Sequence, residues 1–185
     1  MTEPSIIETR DIEAPAARIF SIVSDPAHHP AIDGTGMLRS ADDNQVMSRV
    51  GDVFFMSMTH WDLGDYVMEN HVVEYEQDRC IAWEPVAQVN KDARWDRMPS
   101  NREPREWGWR LEPLSEERTR VTAFFEGSRL SDGLRKFVED GEFWRPAMVT
   151  SLENLERLAT TPDGTGEASP RSDTAATFAA FYEGE

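Results

Sequence analysis

Cysteine is nearly absent from this 185-residue chain, where Cys80 is the one thiol. A lone cysteine forms no internal disulfide and no thiolate-built zinc site, which excludes a stapled scaffold and matches the usage of a reducing cytoplasm. Long hydrophobic runs are missing as well. Mean hydropathy is −0.58, and no apolar stretch approaches the roughly 18 residues of a membrane-spanning helix, so no membrane insertion is expected. The opening MTEPSIIETR lacks the basic-then-apolar layout of a secretory signal, and a cytoplasmic protein is expected. Positive charge is scarce: 19 Lys and Arg face 35 Asp and Glu, a formal net charge of −16. Such a surface repels phosphate backbones and anionic headgroups, which argues against nucleic acid or a membrane surface as partner. No phosphate-cradling glycine loop, nucleophile elbow or Cys-His pair is present, and no cofactor is called for.

What the chain does have is a change of period. Ile6 to Ile12 reads as a short strand. Ala14-Pro15 then starts a helix with Pro15 at its first position and Ile19, Phe20, Ile22 and Val23 on one face. Asp25-Pro26 repeats the start signal for a second short helix. From Gly34 to Gly127 the period is two: Phe54, Met56 and Met58 alternate with Phe55, Ser57 and Thr59, and Tyr66, Met68, Asn70 and Val72 alternate with Val67, Glu69 and His71. The parity then flips, with Glu74 and Glu76 polar and Val73 and Tyr75 apolar, which predicts a β-bulge near Val72-Val73. Further strands are expected over Cys80–Glu84, Trp107–Glu112 and Arg120–Glu126, parted by turn clusters at 41–44 and 116–118. Residues 132–142 read as a short helix. Over 145–159 the spacing of Met148, Leu152 and Leu155 predicts a long helix, with Pro146 in its first turn. The order predicts an α+β domain over residues 1–160, and the Gly-, Pro-, Ser- and Thr-rich stretch 161–185 reads as a flexible tail.

Several strings in this order carry a resemblance: IEAPAARIFSIVSDPAHHPAIDGTG at 12–36, VGDVFFMSM at 50–58, YVMENHVVEYEQDRCIAWEP at 66–85, WGWRLEP at 107–113, RTRVTAFFEG at 118–127 and PAMVTSLENLERLA at 146–159. Together they resemble the START-like (birch-pollen-allergen-type, SRPBCC) superfamily, within it the polyketide cyclase/dehydrase and lipid-transfer group. The resemblance implies a helix-grip fold: a curved antiparallel sheet of about seven strands around a long C-terminal helix, two short helices after strand 1, and a deep apolar cavity. In relatives that cavity holds lipids, sterols, polyketides or plant hormones, and a minority of members catalyse cyclisation or dehydration there. The chain departs from the pattern at Gly127, where many members have Trp, and in a longer connection at 86–106.

The candidate ligand contacts are Phe54, Met56, Met58, Met68, Asn70 and Val72 on shared strand parity, Trp83 and Trp109 as stacking surfaces, and Met148 and Leu152 from the helix. Asn70 either orients a ligand oxygen or bonds neighbouring backbone. Strand parity carries His60 inward, where an imidazole would serve as general base, or else it is a strand-end histidine in a polar turn. His28 and His29 lie near Asp25 and Asp33, but their spacing matches no metal motif, and capping and turn formation account for the string. The 86–106 connection places Lys91, Arg94, Arg97, Arg102 and Arg105 in a local positive island suited to admitting an anionic ligand, unless its charges pair among themselves. Three readings stay open. The first is a binding protein for a hydrophobic small molecule of polyketide, sterol or fatty-acyl type. The second is a cyclase or dehydratase using His60. The third is a ligand-free acidic interaction module.

Overall fold

The computed structural model describes residues 6–41, 45–60, 64–86, 104–130 and 144–161, His60 through its backbone only. The seven strands are β1 (Ile6–Ile12), β2 (Leu38–Ala41), β3 (Val53–His60), β4 (Gly64–Glu76), β5 (Cys80–Val86), β6 (Glu106–Ser115) and β7 (Arg118–Glu126). They form one sheet in the order β1-β7-β6-β5-β4-β3-β2, with every neighbouring pair antiparallel. The helices are α1 (Ala16–Val23), a 3-10 turn (Pro26–His28) running into α2 (His29–Ile32), and α3 (Trp144–Thr160). This is the α+β helix-grip arrangement that the resemblance implies. The expected helix at 132–142, the turn at 41–44 beyond Ala41, most of the 86–106 connection and the tail from 162 onward lie outside the described residues.

Local chemistry explains most element bounds. Pro15 stands one position earlier than expected: its backbone is extended, with φ −60° and ψ 144°, and the helix begins at Ala16. Its carbonyl still accepts the first helical bonds, from the amides of Arg18 and Ile19. Asp25 caps the 3-10 turn by accepting from the Ala27 amide at 3.0 Å. Pro146 fits in the first turn of α3 because that amide has no helical partner to lose.

The bulge lies where the parity flip places it. Val72 pairs with Trp83 and Glu74 with Ala82, so Val73 is the extra residue and points to solvent. Without it, Tyr75 would turn outward; with it, Tyr75 returns to the inner face and meets the Phe20 ring edge-on at 5.5 Å.

The main core packs on the inner face. Ile19, Phe20 and Ile22 of α1 join Phe54, Met56 and Val72 of the sheet and Met148, Leu152, Leu155 and Leu158 of α3. Each such side chain taken fully out of water contributes roughly 1.5–3 kcal/mol before entropy is counted. Among the described elements the α3 backbone runs closest to α1, α2, β1 and β7. Arg10 ties β1 to it, its Nε donating to Glu156 Oε2 at 2.7 Å. The helix therefore leans toward one side of the sheet, and the inner faces of β3 to β5 form the opposite wall.

Candidate functional site

Register alone assembles this wall. Phe54 pairs with Asn70, Met56 with Met68 and Met58 with Tyr66, so all six share one face. Asn70 in turn pairs with Pro85, and Val72 with Trp83. Trp83 pairs with Trp107, and Trp107 with Phe125. Phe54, Met56, Asn70 and Val72 are buried, whereas Met58, Trp83 and Trp107 are only half-buried although their parity is inward. Half-exposed apolar surface on the concave side of a sheet marks where packing stops short of filling the space.

Two aromatic groups flank that surface. The His29 ring stacks on Trp83 at 5.2 Å with 24° between the planes, and Phe54 meets both rings edge-on at 5.6 and 5.5 Å. Trp107 lies 4.5 Å from Phe125 and 5.0 Å from Trp144, which α3 contributes from above. Trp83 and Trp107, side by side on neighbouring strands, join the two groups.

The two histidines of the 28–29 pair have parted. His28 stays near the surface, 3.8 Å from Asp25. His29 is buried, its Nε2 2.9 Å from the carbonyl of Val23. A carbonyl only accepts, so Nε2 carries the proton and the neutral ring keeps its lone pair on Nδ1. Burial lowers the His29 pKa and outweighs the backbone bond to Val23 and the charge of Asp25, which act to raise it. Among the described residues no group of three or more His, Cys, Asp or Glu is placed to hold a metal ion. Asp33 accepts from the amides of Thr35 and Leu38, each at 2.9 Å, and shapes the entry to β2. Gly34, in the bend that follows Asp33, also serves a close approach to α3.

Of the remaining polar candidates, Asn70 is 4% exposed and its Nδ2 donates to the Met68 carbonyl at 3.1 Å. The neighbouring-backbone bond is therefore made. His60 pairs through its backbone with Gly64, and its side chain lies outside the described residues. Met148, Leu152 and Trp109 belong to the main core at 4%, 2% and 8% exposure, while Met68 and Met58 gather with Met37 around Tyr66. Burial raises the Tyr66 phenol well above its ordinary range, and the charges of Arg105 and Asp33 reach it. Tyr66 and Met58 also border an open depression of about 480 Å³ at the β2–β4 rim, beside Arg39, Thr59 and Asp65.

Tyr66, Trp144 and His29 were not among the candidate ligand contacts. Tyr66 carried a usable signal, the parity of Met68. Trp144 and His29 come from helices packed over the sheet, and no strand pattern registers them. On the convex face Cys80 packs with Ala82 and Phe124 and is buried. That burial pushes its thiol up to about 12.

No protein-family model matches the chain. It is 29% identical over 132 residues to the uncharacterized protein Rv0088 of Mycobacterium tuberculosis, covering 70% of this chain and 51% of that protein. The chain thus spans about half the length of this curated relative. Among solved structures it is similar to a protein from Arthrobacter aurescens, with a TM-score of 0.61 and 16% identity over 90% of this chain and 92% of that one. Ginseng major latex-like protein 151 from Panax ginseng gives a TM-score of 0.59 at 12% identity, over 84% of this chain and 97% of that one. DynU16, a putative protein in the dynemicin biosynthetic locus, gives 0.54 at 15% identity, over 91% of this chain and 49% of that one. At these identities the likeness is one of fold, and the fold is START-like.

Proposed function

We propose that this chain binds a hydrophobic small molecule of polyketide, sterol or fatty-acyl type against the concave face of its sheet. The observation that carries the reading is the half-exposed, inward-facing apolar surface of Met58, Trp83, Trp107 and Trp144. Left to water, that surface costs free energy that an apolar ligand recovers, and indole faces suit a flat ring system. Methionine supplies a compliant wall and favours fit over strict selection. The fold shared with ginseng major latex-like protein and DynU16 is consistent with this use. Binding is preferred to cyclisation or dehydration because two inward polar groups among the described residues are engaged with main-chain carbonyls, Asn70 with Met68 and His29 with Val23.

The test is a titration with Nile red followed by displacement with a sterol and with a fatty acid. Saturable, displaceable binding that weakens severalfold in Trp107→Ala is expected. Signal that neither saturates nor yields to a competitor would overturn the reading.

A further inference from the structure

We propose that Asn70 and His29 form a hydrogen-bond-accepting anchor in the concave site, so that its ligand is an apolar ring compound bearing a free hydroxyl, a phenol or a ring alcohol. The inference rests on the reading that the concave face binds an apolar ligand, and it names the polar group of that ligand.

Strand register brings the two residues together. Phe54 pairs with Asn70, and Trp83 pairs with Val72, the next inward residue along β4. The His29 ring packs on both aromatics, edge-on to Phe54 at 5.6 Å and stacked on Trp83 at 5.2 Å, so it bridges β4 at the level of Asn70 and Val72. Asn70 and His29 are each 4% exposed, polar groups in a wall otherwise built of Phe54, Met56, Val72 and Trp83.

Each residue spends a donor on the protein and keeps an acceptor. Asn70 Nδ2 donates to the Met68 carbonyl, and because a carbonyl only accepts, that bond fixes which end of the amide is oxygen. No donor among the described residues bonds Oδ1, and this oxygen is not sealed from solvent. His29 likewise gives its Nε2 proton to the Val23 carbonyl, which turns Nδ1, on the other side of the ring, away from the end of α1. Burial holds the ring neutral, so Nδ1 keeps its lone pair. An acceptor without a donor in an apolar wall is a standing cost that a ligand proton removes. A hydroxyl suits the pair: it donates to one of these acceptors and itself accepts the second Nδ2 hydrogen of Asn70. A ketone, an ether or an ionised carboxylate only accepts, and meets lone pairs on both residues.

The full chain is titrated with 2-naphthol, 2-fluoronaphthalene and 2-methoxynaphthalene, and with 1-hydroxypyrene, 1-fluoropyrene and 1-methoxypyrene. Fluorine approximates the size of the hydroxyl without its proton, and the methoxy group keeps the oxygen without its proton. Wild type, Asn70→Leu and His29→Phe are compared, with thermal midpoints recorded for each. At least one hydroxyl compound is expected to bind about five- to tenfold more tightly than both of its analogues. Asn70→Leu and His29→Phe should each shrink that preference by at least about half while changing the affinity of the fluoro analogue less than about twofold. If one variant fails to fold, the other decides. Equal affinity of the hydroxyl and fluoro compounds in wild type, or a preference left intact in both variants, overturns the anchor while leaving the apolar site standing. Absence of binding by all six probes overturns the apolar site itself, and the anchor with it.

Discussion

The Gly34 amide donates to the Ser151 hydroxyl at 2.9 Å, pinning the loop after α2 to the flank of α3. A Cβ at position 34 would collide with the carbonyl oxygen of Ala147 and crowd the Ser151 amide. Backbone atoms of a helix cannot yield locally, so Gly34→Ala is expected to cost about 1–3 kcal/mol in urea denaturation. Ser151→Ala, which removes only the bond, should cost about 0.5–1.5 kcal/mol. A smaller loss for Gly34→Ala than for Ser151→Ala would contradict the packing account.

Leu152 is 2% exposed at the centre of the α3 contact, whereas Val149, one turn earlier on the same helix, is 39% exposed. Leu152→Ala should lower stability by about 2–5 kcal/mol. Val149→Ala should stay within about 0.5 kcal/mol. Comparable costs at the two positions would mean that α3 is rotated relative to the sheet.

Burial lowers the pKa of His29 in the folded chain below the ordinary imidazole value of about 6.5. Between those two values the unfolded chain binds a proton that the folded chain does not. Stability from this residue is therefore fully present above about pH 6.5 and falls as the pH drops toward the folded value, by up to about 1.4 kcal/mol per pH unit. In His29→Phe, which keeps a ring against Trp83 but cannot titrate, the denaturation free energy should fall less between pH 7.5 and 5.5 than in wild type. Parallel curves for the two proteins would rule out a buried neutral imidazole.

Cys80 is 6% exposed and its thiol is pushed up to about 12. Thiolate is the reactive species, so iodoacetamide at pH 8 should label the native chain far more slowly than the chain in 6 M urea. Equal rates would place the residue at the surface.

The strand architecture was legible because the inner face of a half-buried strand repeats every second residue, and both runs, 54–58 and 66–72, keep that period without a break. Even the bulge at Val73 left a mark, since an extra residue shifts polar parity from Glu69 and His71 to Glu74 and Glu76. The site was legible only in part. Phe54, Met68 and Asn70 announce a common face, yet what stands over that face comes from outside the strands. His29 reaches Trp83 from a four-residue helix too short for a period to show, and Trp144 meets Trp107 through tertiary packing of α3. Nothing local to Gly34, in its bend, signals that its missing Cβ also admits a helix.

The central claim, that the concave face holds a hydrophobic small molecule, is tested most directly by native mass spectrometry of the chain purified from its own host. The account predicts a one-to-one complex with a compound that organic solvent extracts and that Trp107→Ala retains poorly. A bare-chain mass from host-purified protein, together with no adduct after incubation with sterol, fatty acid or aromatic polyketide, would contradict it.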